Sequence, residues 1–296
     1  MSDVSGPSHV LVVGDLMVDV VVAHKDPIAV GSDTPARVTI NGGGSAANTA
    51  CWLASLGEAP QLMAARGDDA FGAMAAADLD DAGVAFVGPV LDQYPTGTCV
   101  VLVGADGERS MLPDRGANDR LPMSAIVGGL DPMPGWVHLS GYAILHEGSR
   151  NAGRAALSAG LAGGAVVSVD AASTAPIRAV GAEAFLNWID GASIVFANDE
   201  EIEALGGVWA VLEHVDAVAV KHGAAGATWT DGAETVTAEG FPVDMVDTTG
   251  AGDAFSAGWI ASVRRGSDPQ AALADAVHAG ATAVTHPGAR PVRSEP

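Results

Sequence analysis

Residues 9–15 read HVLVVGD, and four more stretches are built the same way: GWVHLSG (135–141), GAVVSVD (164–170), SIVFAN (193–198) and DAVAVKHG (216–223). Each is a short apolar run that stops at a polar or glycine residue. The runs are too short for helices and rich in Val and Ile, so they predict buried strands. Between them lie Ala-rich stretches of helical character, such as EGSRNAGRAALSAGLAGG (147–164). Strands alternating with helices predict an α/β fold, a doubly wound, mainly parallel sheet covered on both faces. Ligands of such sheets bind beyond the carboxyl ends of the strands. Here those ends carry Asp15, Ser140, Asp170, Asn198 and Lys221.

Two segments depart from this alternation. MVDVVVAHKDPIAVGSDTPARVTI (17–40) and TGTCVVLVGADGERSML (96–112) have β-prone runs and no room for a crossover helix. Asp106-Gly107 marks a hairpin turn in the second. They predict a small antiparallel β lid made from two separated insertions. The expected organisation is a core of residues 1–16, 41–95 and 116–296, with residues 17–40 and 96–115 as the lid. The final PGARPVRSEP is expected to be a loose tail.

Composition narrows the function. The chain has 296 residues, 48% of them hydrophobic, and a net charge of −22 with lysine only at 25 and 221. Such acidity argues against nucleic acid as a partner. No apolar run reaches the length of a membrane span, and MSDVSGPSHV lacks the features of an export signal, so a cytoplasmic protein is expected. Cys51 and Cys99, two thiols far apart, support neither a disulfide framework nor a zinc site and are expected to be reduced and buried.

The sequence DTTGAGDAF (247–255) follows an apolar GFPVDMV that reads as a strand, and it runs into DAFSAGWIASVRRG. Phe255, Trp259, Ser262 and Val263 fall at i, i+4, i+7 and i+8, one helical face, and Gly266 suits the C-cap. Gly250, Ala251 and Gly252 therefore sit at a helix N-terminus, where small residues let backbone N–H groups approach an anion. Asp253, in the first turn, is placed to accept a proton from an attacking hydroxyl. A helix start with glycine for packing and Asp for the dipole would read the same. A second glycine-rich run, NGGGSAANTACWLASLG (41–57), precedes another helix with Ala46, Ala50, Leu53 and Leu56 or Gly57 inward. Gly43, Gly44 and Asn48 there suit a polyhydroxylated ligand, or simply tight packing. The P-loop motif, the first-strand dinucleotide fingerprint, H-E-x-x-H and G-x-S-x-G are all missing.

Together these motifs resemble the ribokinase-like (PfkB) carbohydrate and nucleoside kinases over nearly the full chain. DTTGAGDAF resembles that family's C-terminal signature and GGGSAANTA its N-terminal one. NDEE (198–201) resembles its N-x-x-E motif, VKHGAAGA (220–227) its nucleotide-side loop, and RGAN (115–118) the segment closing its second lid insertion. The resemblance implies transfer of the γ-phosphoryl of ATP to a sugar or nucleoside hydroxyl. Asp253 would be the base, with the amides of Gly250, Ala251 and Gly252 as the anion hole. Asp15, Asp19, Gly43, Gly44, Asn48 and Arg115 would hold the acceptor. Asn198, Lys221, Gly223, Gly226 and Thr248 would face the nucleotide, and Glu201 would help place Mg²⁺ through water. Asp247 and Thr249 match positions where many members hold a monovalent cation, which adds K⁺ to the expected ligands. Met17 stands where ribokinases proper carry an Asn that binds a sugar hydroxyl, so the sugar need not be ribose.

The lid bears on the acceptor. Residues 17–40 and 96–118 contain no Phe, Tyr or Trp to stack on a base, and they do carry Asp19, Thr34, Arg37, Thr96, Thr98 and Arg115. A small sugar or sugar acid is therefore expected ahead of a nucleoside, although Trp136 or Tyr142 could reach in from the core. A non-catalytic sensor is opposed by the intact GAGD, and a dehydrogenase by the missing fingerprint. The expected partners are a small-molecule sugar and a second copy of the chain through the lid, with no nucleic acid and no membrane.

Overall fold

The computed structural model describes residues 9–292. Residues 1–8, within the stretch read as lacking an export signal, and residues 293–296 of the expected tail lie outside the described residues.

All five predicted strands are present, and they form the middle of a nine-stranded sheet. In spatial order its strands are Thr235–Glu239, Gly226–Thr230, Val218–Lys221, Ile194–Asn198, Val166–Asp170, Trp136–Ser140, Val10–Val13, Pro60–Met63 and Ala85–Phe86. Every pairing is parallel except the two that join the last hairpin. Alternation along Val10–Val13 shows why both faces are covered. Val10 and Val12 enter one apolar core and Leu11 and Val13 the other, and all four are fully buried.

The first core lies under helices Ser45–Ser55, Ala251–Arg264 and Pro269–Ala283. Helix Ala251–Arg264 is sandwiched between the other two and is buried from Ala254 to Ser262. Phe196, Phe255, Trp229 and Trp259 meet beneath it with ring centroids 6.1–6.3 Å apart. Such pairs add about 0.5–1.5 kcal/mol each beyond their burial.

Strand order reverses at Val10–Val13. The chain first moves to Pro60–Met63 on one side and later returns to Trp136–Ser140 on the other. That switch point opens a crevice at the carboxyl ends of the strands. Over it stands a separate four-stranded sheet in the order Ala36–Gly43, Met17–His24, Gly97–Val103, Arg109–Asp114. Its two hairpins are antiparallel, but its central pair, Met17–Ala23 with Gly97–Val103, is parallel. One face of this lid seats Met17, Cys99 and Val101, each under 8% exposed. The other carries Val20, Val22, Val38, Ile40, Leu102 and Leu112 toward solvent, with Val38, Ile40 and Leu112 49–57% exposed.

Three expectations need correction. GFPVDMV forms no strand: Phe241, Val243, Met245 and Val246 are all exposed, so the run has no face to bury. Pro242 also lacks a ladder donor. Helix Ser45–Ser55 ends before Leu56 and Gly57, which are exposed. The described part of the tail is not loose. Trp52 Nε1 donates to the Ala289 carbonyl at 3.0 Å, the Gly288 amide donates to Asp247 Oδ2 at 3.0 Å, and Arg290 makes three contacts.

Cys51 and Cys99 are both buried. No described helix is long and apolar enough to cross a membrane.

Candidate active site

The site is built where helix Ala251–Arg264 starts. Gly250 caps that helix with φ +79°, and a Cβ there would lie 2.4 Å from the Ala289 carbonyl oxygen, so only glycine fits. The first-turn amides of Gly252 and Asp253 have no intrahelical carbonyl to bond, whereas that of Ala251 donates to the Thr248 carbonyl.

Asp253 is half-buried at the base of this crevice. Ser45 Oγ donates to its Oδ1 at 2.8 Å and Asn48 Nδ2 to its Oδ2 at 3.0 Å. Two motifs about 200 residues apart thus meet on one carboxylate. Burial pushes its pKa up to about 7; the Asn48 and Ser45 bonds oppose the rise, and the charges of Asp170 and Asp15 add to it. A carboxyl poised near neutrality suits a general base.

Around it stand the residues expected to hold the acceptor. Asp15 is buried; its Oδ1 accepts the Ala46 amide at 3.3 Å and its carbonyl the Ala47 amide at 3.3 Å. It therefore satisfies the start of helix Ser45–Ser55, whose own N-cap, Gly44, has no side chain to do so. Gly44 has φ +92° and no space for a Cβ against the Asp15 carbonyl. Gly43 packs on the Asp19 carboxyl. Burial raises Asp19 to about 6; Arg290 opposes this and Asp15 adds to it. Arg115 donates to Asp119 Oδ1 at 2.7 Å and lies 4.0 Å from Asp15 Oδ2, with its guanidinium carbon 5.9 Å from the Tyr142 ring centroid. Asn118 pins the lid crossing: Leu16 N donates to its Oδ1 at 3.0 Å, and its Nδ2 donates to the Leu16 carbonyl at 2.9 Å. Trp136 does not reach the site; it turns into the core and donates to Ser168 Oγ at 2.8 Å.

On the other side, Asn198 and Glu201 form a capping box on helix Asp199–Ala204: Glu201 N donates to Asn198 Oδ1 at 2.9 Å, and Asn198 N to Glu201 Oε2 at 2.8 Å. The N-x-x-E spacing thus has a helix-starting role of its own. Lys221 Nζ stands 2.8 Å from Asp170 Oδ2, which also accepts from Ser256 Oγ at 3.3 Å. Burial alone would lower the Lys221 pKa, but Asp170 and Glu201 hold it above its usual value. Lys221 also comes close to Gly252. Gly223 opens an exposed turn, Gly226 starts the antiparallel strand, and Thr248 is exposed with its carbonyl accepting the Ala251 amide at 3.4 Å.

Asp247 and Thr249 are both in contact with the Arg109 guanidinium, which comes from the lid. Asp247 also accepts the Thr249 amide at 2.8 Å and the Gly288 amide at 3.0 Å. A positive charge already lies where a monovalent cation was expected.

The family model described as pfkB family carbohydrate kinase matches residues 7–295. The chain belongs to the pfkB family of carbohydrate kinases. It is a phosphotransferase, like its named relatives. It is 36% identical to an ATP-dependent ribose-1-phosphate kinase of Halopiger xanaduensis over 84% of this chain and 82% of that one. It is 26% identical to the ribokinase of Bacillus subtilis over 97% of each. A solved E. coli protein described as a ribokinase II, in complex with ATP and Mg²⁺, superposes with a TM-score of 0.85 at 25% identity, covering 95% of this chain and 94% of that one. An adenosine kinase structure from Sinorhizobium meliloti matches with a TM-score of 0.85 at 24% identity over 98% and 97% of the two chains, which shows the shared fold.

Within this pfkB chain, Ser45, Asp170, Arg109, Arg290, Asn118 and Tyr142 complete the site beyond the residues read from the motifs. Ser45 had a local signal, a hydroxyl inside the glycine run. Arg109 and Arg290 had none, because their partners lie 138–247 residues away.

Proposed function

We propose that this chain transfers the γ-phosphoryl group of ATP to a hydroxyl of a small sugar or sugar acid, with Asp253 as general base. One observation carries this: a carboxyl raised to about 7 lies beside the donor amides that open helix Ala251–Arg264. As the acceptor oxygen attacks the γ-phosphorus, its proton passes to Asp253, and the bond to the ADP oxygen breaks. The amides of Gly250, Ala251 and Gly252 stabilise charge on the phosphoryl oxygens. Exposed Phe241, Val243 and Met245, just before the transfer loop, offer an apolar surface for the nucleotide base.

Mg²⁺ fits the residues present. The cap bond uses only one carboxylate oxygen of Glu201, and no cluster of three His, Cys, Asp or Glu that could cage a metal occurs among the described residues. Such a donor set suits an ion held through water and mainly by phosphates. Glu201, with Asn198 beside it, would hold that water shell, and the ion would supply positive charge against the phosphates.

The acceptor assignment rests on a lid without aromatic rings and on Asp15, Asp19, Asn48 and Arg115 around Asp253. The name of the H. xanaduensis relative supports a sugar bearing an anionic group. ATP consumption across pentoses, hexoses, sugar acids, sugar phosphates and nucleosides tests it. The best sugar is expected to exceed the best nucleoside in kcat/KM by at least about tenfold, or about 1.4 kcal/mol. A nucleoside at the head of the panel would overturn the acceptor assignment and leave the family intact.

The apolar outer face of the lid supports a homodimer, since a twofold axis lets one such face cover its own copy. Sedimentation of the wild type should give a dimer, and Ile40→Lys with Leu112→Glu a monomer. A monomeric wild type at micromolar concentration would refute this.

A further inference from the structure

Asn48 meets Asp253 with its amide nitrogen, and something must select that orientation. The two ends of an amide differ chemically: Nδ2 donates and Oδ1 accepts. Rotated by half a turn, Asn48 would set its oxygen against the carboxylate. Arg290 faces the other end, and its Nε donates to Asn48 Oδ1 at 3.2 Å. A guanidinium has donors only, so it admits only the oxygen.

Arg290 is itself fixed. Its Nη2 donates to the Gly43 carbonyl at 3.0 Å, its Nη1 is paired with Asp78 on helix Ala70–Asp81, and its side chain is 12% exposed. The residues just before it grip the transfer loop: Gly288 N bonds Asp247, and Ala289 packs against Gly250. Residues 288–290 thus join the glycine loop of the acceptor side to the loop that starts helix Ala251–Arg264.

We propose that Arg290 is a positioning residue, one that orients the Asn48 amide so that it donates to Asp253 and that holds the Gly43 loop and the transfer loop in register. It rests on the assignment of Asp253 as base. Without Arg290 the amide can rotate, and Asp253 loses a donor that stabilises its charged form. The charged groups facing Asp253 from the packed elements are Asp170, Asp15 and Lys221, with the Tyr142 phenol nearby. None of them is paired with Arg290; Asp19 nearby does feel its charge, and Arg290→Lys keeps that charge in place.

The test is Arg290→Gln and Arg290→Lys, each in the wild type and in Asn48→Ala. The readouts are the Asp253 carboxyl titration by ¹³C NMR and the pH dependence of kcat. Arg290→Gln is expected to raise the Asp253 midpoint by about half a unit or more and to lower kcat at pH 6 about 3–10-fold, with KM for ATP little changed. Arg290→Lys keeps the charge but not the Nε donor and is expected to shift the midpoint similarly; it also serves if the Gln variant does not fold. In Asn48→Ala, neither substitution is expected to move the midpoint further. An unmoved midpoint, a Lys variant equal to wild type, or the same shift without Asn48 would each overturn the proposal. A shifted midpoint with an unchanged pH dependence of kcat would instead count against Asp253 as base and leave the positioning role standing.

Discussion

Lys221 Nζ and Asp170 Oδ2 stand 2.8 Å apart, joined across the intervening strand Ile194–Asn198 at the floor of the crevice. Both side chains are largely buried, at 16% and 8% exposure. Breaking such a pair leaves an uncompensated charge inside the protein. Lys221→Met is expected to destabilise the fold by about 3–5 kcal/mol, and Lys221→Met with Asp170→Asn by less than the single change. Urea unfolding of the three variants checks this, and a Lys221→Met protein as stable as wild type would refute it.

Asp253→Asn removes the proposed base and keeps the side-chain shape. A fall in kcat of about 10²–10⁴-fold or more is expected, with KM for ATP little changed. Retention of more than about a tenth of the wild-type kcat would show that another group takes the proton.

The same substitution is expected to stabilise the fold in alkali. The Asp253 pKa lies at about 7 in the folded protein against an ordinary 3.8, so the folded state holds this proton more tightly than the unfolded chain. That contribution is complete below about pH 4 and is lost as the pH rises through 7. Asn has no proton to lose. Asp253→Asn should melt above wild type at pH 8, with the gain shrinking toward pH 4. Equal melting temperatures at pH 8 would contradict the raised value.

Catalysis runs the other way with pH. Asp253 accepts a proton only when ionised, so kcat/KM is expected to rise about tenfold per unit below pH 7 and to level off above it. A profile flat from pH 5.5 to 8 would exclude a base titrating near 7.

Arg109 bears on potassium. Burial alone would raise the Asp247 pKa, but Arg109 and the amides of Gly288 and Thr249 hold it well below the usual carboxylate range. With that charge already compensated, replacing Na⁺ by K⁺ at constant ionic strength should leave the wild-type rate unchanged. Arg109→Gln should lower kcat and make it respond to K⁺. A wild-type rate that rises severalfold with K⁺ would show that the guanidinium does not take the cation's place.

The sequence by itself determined the layers and the reacting end of the molecule. Runs such as Val10–Val13 and Ile194–Asn198 are apolar on both sides of the strand, which forces a sheet covered on both faces, and their polar ends mark the crevice. The glycines before Asp253 and before Ser45 signal helix starts through local stereochemistry, a property of a few neighbouring residues. The lid hairpins were legible for the same reason, through β-branched runs and the Asp106-Gly107 turn. What only the tertiary structure decided depends on distant pairs. GFPVDMV has the composition of a strand but no partner to ladder with, so it stays irregular. Residues 287–292 have the composition of a tail, yet Trp52, Asp247, Asn48 and Asp78 pin them. The short-range sequence around Arg109 or Arg290 carries no trace of its target, because a long charged side chain is placed by whichever acceptors the completed fold brings within reach.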